Sequence, residues 1–223
     1  MYWKDEGYLL FKSIYNENSI IIETFTLNHG KYTGIVFGGS SKKHKKNFQI
    51  GNKILLNWKS KSENKNGYFS IELIKAISPL FFDDKRKTIC ILAASTILKI
   101  LLPDRQINKK IYYSFEKFLS YLNNDDWIKF YIFWELSLIK ELGFEIKFPN
   151  DKVSGGSVKK SIELNGKHFE IPKLILDDNA KNNSNNDIKE ALMFNKNILI
   201  ENFILPNQLR FPISRSMLED YYN

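Results

Sequence analysis

The chain has 223 residues, 43% of them hydrophobic and 26% charged, which suffices for a packed core and excludes wholesale disorder. A single cysteine, Cys90, rules out an intramolecular disulfide and a cysteine-rich zinc site, and fits a reduced, cytoplasmic protein. The formal net charge is +8, and residues 1–80 hold 12 lysines against 6 acids, whereas residues 151–223 are balanced. Excess positive charge gathered in one third of a chain is the footprint of a polyanion-binding surface.

No uncharged apolar run reaches the roughly eighteen residues that a membrane-crossing helix needs. The start, Met1-Tyr2-Trp3-Lys4-Asp5-Glu6-Gly7, carries no apolar signal core. No membrane association is therefore expected.

In chain order, residues 7–14 alternate as a first strand and residues 15–18 turn. Residues 19–27 are rich in Ile, Thr and Phe, which suit a pleated surface. Asn28-His29-Gly30 is a three-residue turn ending in glycine, and residues 31–37 return. The next loop, Gly38-Gly39-Ser40-Ser41-Lys42-Lys43-His44-Lys45-Lys46, carries the densest positive charge in the chain. Residues 52–59 and 68–76 form another pair of strands, joined by a polar loop over 60–67. Five strands with two long polar loops predict an OB-type barrel rather than a sandwich.

After Pro79 the period changes. Ile89, Leu92, Ala93, Thr96, Ile97 and Ile100 recur at helical spacing over 85–102, and Pro103 stops the run. Residues 108–122 repeat the pattern. Asp125 is the expected N-cap of a third helix that runs to Leu142, with Gly143 at its C-terminal end. This helix is apolar nearly all round and should lie at the centre of a bundle. Farther on, Asn165-Gly166 between two short apolar-polar runs signals a tight hairpin. Residues 177–186 read as a surface loop, 187–202 as an amphipathic helix, and 209–222 as a short helix or tail. The expected class is α+β: a five-stranded OB-type barrel over 1–80, then a helical domain over 81–223 with a hairpin and loop insertion at about 150–186.

Nothing in the chain assembles into a catalytic set. Cys90 lies in an apolar helical stretch, where a small buried thiol is the simpler reading. His29, His44 and His168 fall in a turn, a basic loop and a late strand. Capping accounts for Asp83-Asp84 and Asp125-Asp126 better than a two-metal centre does. No enzyme, cofactor or metal is expected. The binding case rests on Lys42, Lys43, Lys45 and Lys46 in the first long loop and on Lys59, Lys61 and Lys65 at the second. On an OB barrel two such loops can flank one groove, and each phosphate they neutralise releases counterions. Among the aromatic residues Tyr32, Phe37, Phe48, Trp58 and Tyr68, the two that adjoin a turn or loop on strand edges, Tyr32 and Tyr68, are the favoured base-stacking candidates. Lysine acts as a point charge, so sequence-specific readout is not expected.

Several ordered strings resemble the bacterial RecO family of recombination mediators. They are Trp3-x-Asp5-Glu6-Gly7-Tyr8-Leu9-Leu10, Glu17-Asn18-Ser19-x-Ile21-Ile22 and Phe25-Thr26-x-x-His29-Gly30-Lys31-x-x-Gly34. Gly38-Gly39-Ser40-Ser41-Lys42, Gln49-Ile50-Gly51-Asn52 before a strand ending in Trp58, and Trp134-Glu135-Leu136-x-Leu138-x-x-Glu141-Leu142-Gly143-Phe144 complete the set. The resemblance implies an N-terminal OB fold, a helical body, and binding to single- and double-stranded DNA with strand annealing. It also implies contact with RecR and with the acidic, Phe-ended tail of single-stranded DNA-binding protein, in a cytoplasmic, nucleoid-associated setting and without catalysis. For that tail, helices 85–102 and 108–122 offer Lys99, Arg105, Lys109 and Lys110 beside apolar faces. Many relatives insert a four-cysteine zinc module after the segment matching Leu142-Gly143-Phe144; residues 148–175 here hold no cysteine and one histidine, so no metal is expected. The alternative is an OB-fold RNA-binding or ribosome-associated module using the same lysines; a third reading is a metal-dependent nuclease.

Overall fold

The computed structural model describes residues 1–39, 48–61, 67–144, 146, 160–176 and 184–222. Lys42, Lys43, Lys45, Lys46 and Lys65 lie outside the described residues. The chain divides into two compact units, residues 1–113 with 212–215 and residues 114–211 with 216–223.

The first unit is built on five strands: β1 (Tyr2–Asn16), β2 (Ser19–Thr26), β3 (Gly30–Phe37), β4 (Lys53–Lys59) and β5 (Gly67–Lys75). They close into a barrel in the order β1-β2-β3-β5-β4, with β4 returning to β1. All pairings are antiparallel except the short parallel seam of β3 with β5. This is the expected OB-type barrel. The pleat explains its core: alternate residues Ile54, Leu56 and Trp58 of β4 point inward and meet Leu9, Ile22, Val36 and Phe69. Each such side chain contributes about 1.5–3 kcal/mol when removed from water.

The first strand begins at Tyr2, five residues before the apolar alternation suggests. Asp5 conceals it, because a carboxylate on an inward position breaks the hydrophobic pattern. Asp5 is buried yet satisfied: it accepts from the backbone N–H of Glu6 and Asn28 and from the Asn28 amide, and pairs with His29 Nδ1 at 2.8 Å. One carboxylate thereby ties β1 to the β2–β3 turn.

Helix α1 (Lys85–Leu101) belongs to this unit and packs on the barrel. Asp84 caps it, accepting from the backbone N–H of Arg86 and Lys87, as the sequence leads one to expect. Cys90 is fully buried and reduced. Lys99 pairs with Glu23 at 3.3 Å and sits 3.7 Å from the Phe11 ring centroid. Helix α2 (Lys109–Tyr121) follows, and the boundary between units falls within it.

The second unit contains α3 (Trp127–Glu141), a hairpin of β6 (Ser161–Leu164) and β7 (Lys167–Glu170), and the single turn α4 (Lys173–Leu176). Helix α5 (Asn185–Leu199) runs on into a π-helical turn over Ile200–Ile204, and α6 (Ile213–Asp220) closes the chain. As expected, α3 is central: Trp134 lies 5.2 Å from the Phe118 ring and 5.8 Å from that of Phe115. A buried polar link joins α3 to α5, in which Tyr131 donates to Glu135 at 2.6 Å and the Asn195 amide donates to Glu135 and to the Ile132 carbonyl. Left unmade, such groups would cost free energy; made, they fix one packing of the two helices.

Two local readings need correcting. The residue at the N-cap of α3 is Asp126, not Asp125, and its side chain makes no capping bond. Helix α5 starts before residue 187, because Ser184 and Asp187 form a reciprocal capping box. The Asn165-Gly166 turn is as expected: both residues take positive φ (50° and 76°), the pair a two-residue hairpin requires. Among the described residues no helix is long and apolar enough to cross a membrane.

Candidate nucleic-acid interface

The barrel segregates its aromatic residues by pleat. Inward-facing Trp3 stacks on Trp58 (5.5 Å, 16°) and on His29 (4.2 Å, 10°), with Tyr32 edge-on to both indoles. Trp58 is pressed so closely against β5 that a Cβ at Gly67 would collide with its indole, so that position requires glycine. The Arg105 guanidinium lies 5.4 Å from the Tyr32 centroid. Tyr32 is thus half-buried, packed against the core cluster.

A second set faces outward at one end of the barrel. In register, Tyr2 of β1 stands opposite Lys59 of β4, and Lys59 opposite Tyr68 of β5. Tyr68 pairs with Ile35 of β3, and Phe37 lies two residues beyond on the same face. The outcome is a row across four strands: Tyr2, Lys59, Tyr68, Phe37. At a strand spacing of about 4.8 Å it spans about 14 Å. Phe37 and Tyr68 stack on each other (4.9 Å, 21°) while remaining 65% and 44% exposed. Tyr2 is 60% exposed, and the Lys59 ammonium lies 5.6 Å from its ring centroid.

The seam of β3 with β5 consists of two residue pairs, Gly34 with Gly67 and Ile35 with Tyr68. Beyond it the strands part, and a cavity of about 600 Å³ lies between them. The row forms its rim; Val36, Phe48, Phe69 and Ile71 contribute apolar walls, and Asn57 and Ser70, which are cross-strand partners, contribute an amide and a hydroxyl. No described lining residue is acidic. Both lysine-bearing loops are joined to this end: Phe37 and Gly39 precede residues 40–47, while Lys59 and Gly67 bracket residues 60–66. Lys61 is exposed on the second of these.

Two family models match the chain, that of the recombination protein O N terminal over residues 1–78 and that of its C terminal over residues 83–193. The chain is 33% identical over 166 residues to the DNA repair protein RecO of Wolbachia sp. subsp. Drosophila simulans (strain wRi), covering 74% of this chain and 68% of that relative. The chain belongs to the RecO family. It is likewise 31% identical over 153 residues to the DNA repair protein RecO of Cereibacter sphaeroides, covering 69% and 64% of the two chains. The N-terminal family match spans the whole barrel, and residues 79–82 between the two matches hold most of the short 3-10 turn Ser78–Phe81.

Of the site residues expected in this RecO-family chain, Lys59, Lys61 and Tyr68 lie at the barrel end just described, and Tyr32 lies in the inner cluster. Tyr2, Asn57 and Ser70 carry no signal in the sequence pattern, and Phe37 reads there as one more aromatic residue on a strand. What they share is an outward position on their strands, and it emerges only once the register across β1, β4, β5 and β3 is known. In the region expected to meet a partner, Lys99 pairs with Glu23 beside Phe11, and the Arg105 guanidinium lies near the Tyr32 ring, all within the first unit.

Proposed function

We propose that this chain is a non-catalytic mediator of DNA repair and homologous recombination that binds single- and double-stranded DNA, anneals complementary strands and helps load recombinase on coated strands. The observation that carries the reading is a barrel end that presents an exposed aromatic row with Lys59 in it and no acid among its described lining residues, at which Gly39 and Lys59 lead into the two lysine-rich stretches of sequence. Lys42, Lys43, Lys45, Lys46, Lys59, Lys61 and Lys65 neutralise phosphates, and the resulting counterion release drives sequence-independent, salt-sensitive binding. Tyr68 stacks on bases. Residues 1–80 form the DNA-binding domain, and residues 81–223 the helical domain.

The partners in this reading are single-stranded DNA-binding protein, through its acidic tail, and RecR. In the second unit a cavity of about 430 Å³, walled by Phe133, Leu136, Phe144 and Ile175 with Lys140 beside them, has the apolar floor and basic flank that an acidic, aromatic-ended tail needs. Holding DNA and its protein coat at once lets the mediator remodel that coat.

The test is annealing of complementary strands precoated with single-stranded DNA-binding protein. The full chain should accelerate duplex formation well above the spontaneous rate. No acceleration, or tighter binding to structured RNA than to single-stranded DNA in direct competition, would overturn the reading in favour of an RNA-binding module.

A further inference from the structure

We infer that the cavity where β3 and β5 part is a base-binding subsite, in which an unpaired nucleobase stacks on the exposed Phe37–Tyr68 pair and turns its polar edge toward Asn57 and Ser70. This deepens the DNA-binding reading, on which it rests, by naming the part of the nucleic acid that the cavity touches.

Three observations carry it. First, Phe37 and Tyr68 stack on each other in solvent at the ends of their strands, and a planar ring laid on that pair would cover apolar faces that the described protein leaves open. Second, the chemistry around the pair matches a nucleotide piece by piece. Lys59 supplies a cation in the same row for the phosphate, and the Asn57 amide and Ser70 hydroxyl stand side by side across β4 and β5 for the base edge. The Tyr2 hydroxyl donates to Asn57 Oδ1 at 3.2 Å, which leaves the amide NH2 to donate to a base edge, while the Ser70 hydroxyl can donate or accept; the pair therefore suits more than one base. Third, the cavity has room: its volume of about 600 Å³ lies within the roughly 300–1,000 Å³ usual for ligand sites.

The arrangement separates two modes of contact. A base inside a duplex has both faces covered by its neighbours and cannot enter. Phosphates, by contrast, are equally available in single and double strands. The cavity therefore adds affinity for single strands only, whereas the lysines serve both forms.

The experiment uses the full chain and fluorescence anisotropy at one fixed salt concentration, with three probes: a 20-nucleotide oligothymidine, an abasic strand with the same number of phosphates, and a 20-base-pair duplex. The unsubstituted chain should bind the oligothymidine about ten-fold tighter than the abasic strand. The Phe37→Ala/Tyr68→Ala double variant should abolish that difference and leave duplex affinity unchanged, with an unchanged thermal midpoint showing that the fold is intact. Tyr68→Phe, which keeps the ring, should preserve the difference. Equal affinity of the unsubstituted chain for base-bearing and abasic strands would overturn the subsite while leaving DNA binding in place, and so would persistence of the difference in the double variant. Failure to bind any probe would overturn the DNA-binding reading itself. An acidic peptide ending in Phe that displaces oligothymidine from the unsubstituted chain, and fails to bind the double variant, would reassign the cavity to a protein tail.

Discussion

The inner and outer aromatic groups of the barrel use the same residue types to opposite ends. On β4, Trp58 points inward and is held by Trp3, Tyr32 and Phe69, while its neighbours Asn57 and Lys59 point outward to the cavity. One residue of pleat separates a side chain that stabilises the barrel from one placed to meet a ligand. The inner group covers its own ring faces. In the outer group Phe37 and Tyr68 cover one face of each other, yet the rings stay largely in solvent, and that is what marks the group for binding.

The comparison can be broken from the inside first. Trp58→Ala should cost about 3–5 kcal/mol of stability through lost burial and a cavity against Gly67, measured by chemical denaturation. A loss below 1 kcal/mol would mean that the inner rings do not hold the barrel. From the outside, Phe37→Ala and Tyr68→Ala should each change stability by no more than about 0.5 kcal/mol, because both side chains already meet solvent. A large destabilisation would make the outer row structural and remove its claim to a ligand.

The smallest expected effect lies away from the barrel and shows what an exposed contact contributes. A hydrogen bond from Lys167 holds the Glu201 carboxyl below its ordinary value of 4.5, tying the β6–β7 hairpin to the turn after α5. A lowered folded-state value means the stabilisation is present above pH 4.5 and is lost as pH falls through the lowered value. Hydrogen exchange at the hairpin amides should accelerate modestly on acidification in the native chain, and Glu201→Gln should remove that added acid sensitivity. An identical acid response in the variant would show that the ion pair does not hold the hairpin.

The barrel was legible because its alternating strands and polar turns are local signals: β2 and β3 begin within one residue of their expected positions. The start of β1 was not, because the carboxylate of Asp5 occupies an inward position through hydrogen bonds that a hydrophobic pattern does not register. The outer row was illegible for a different reason. It joins Tyr2 to Lys59 through barrel closure, and Tyr68 to Phe37 through the parallel seam, and both pairings are long-range. Tyr32 lies between the two cases: it is half-buried, edge-on to Trp3 and Trp58 with the Arg105 guanidinium 5.4 Å from its ring centroid, and those contacts too are long-range.

The most direct test of the central claim is the salt dependence of single-stranded DNA binding by the full chain, compared with a variant in which Lys42, Lys43, Lys45 and Lys46 are all alanine. The slope of log affinity against log salt should flatten by about 0.7 for each phosphate contact removed. An unchanged slope would contradict the assignment of this end of the barrel as the DNA-binding surface.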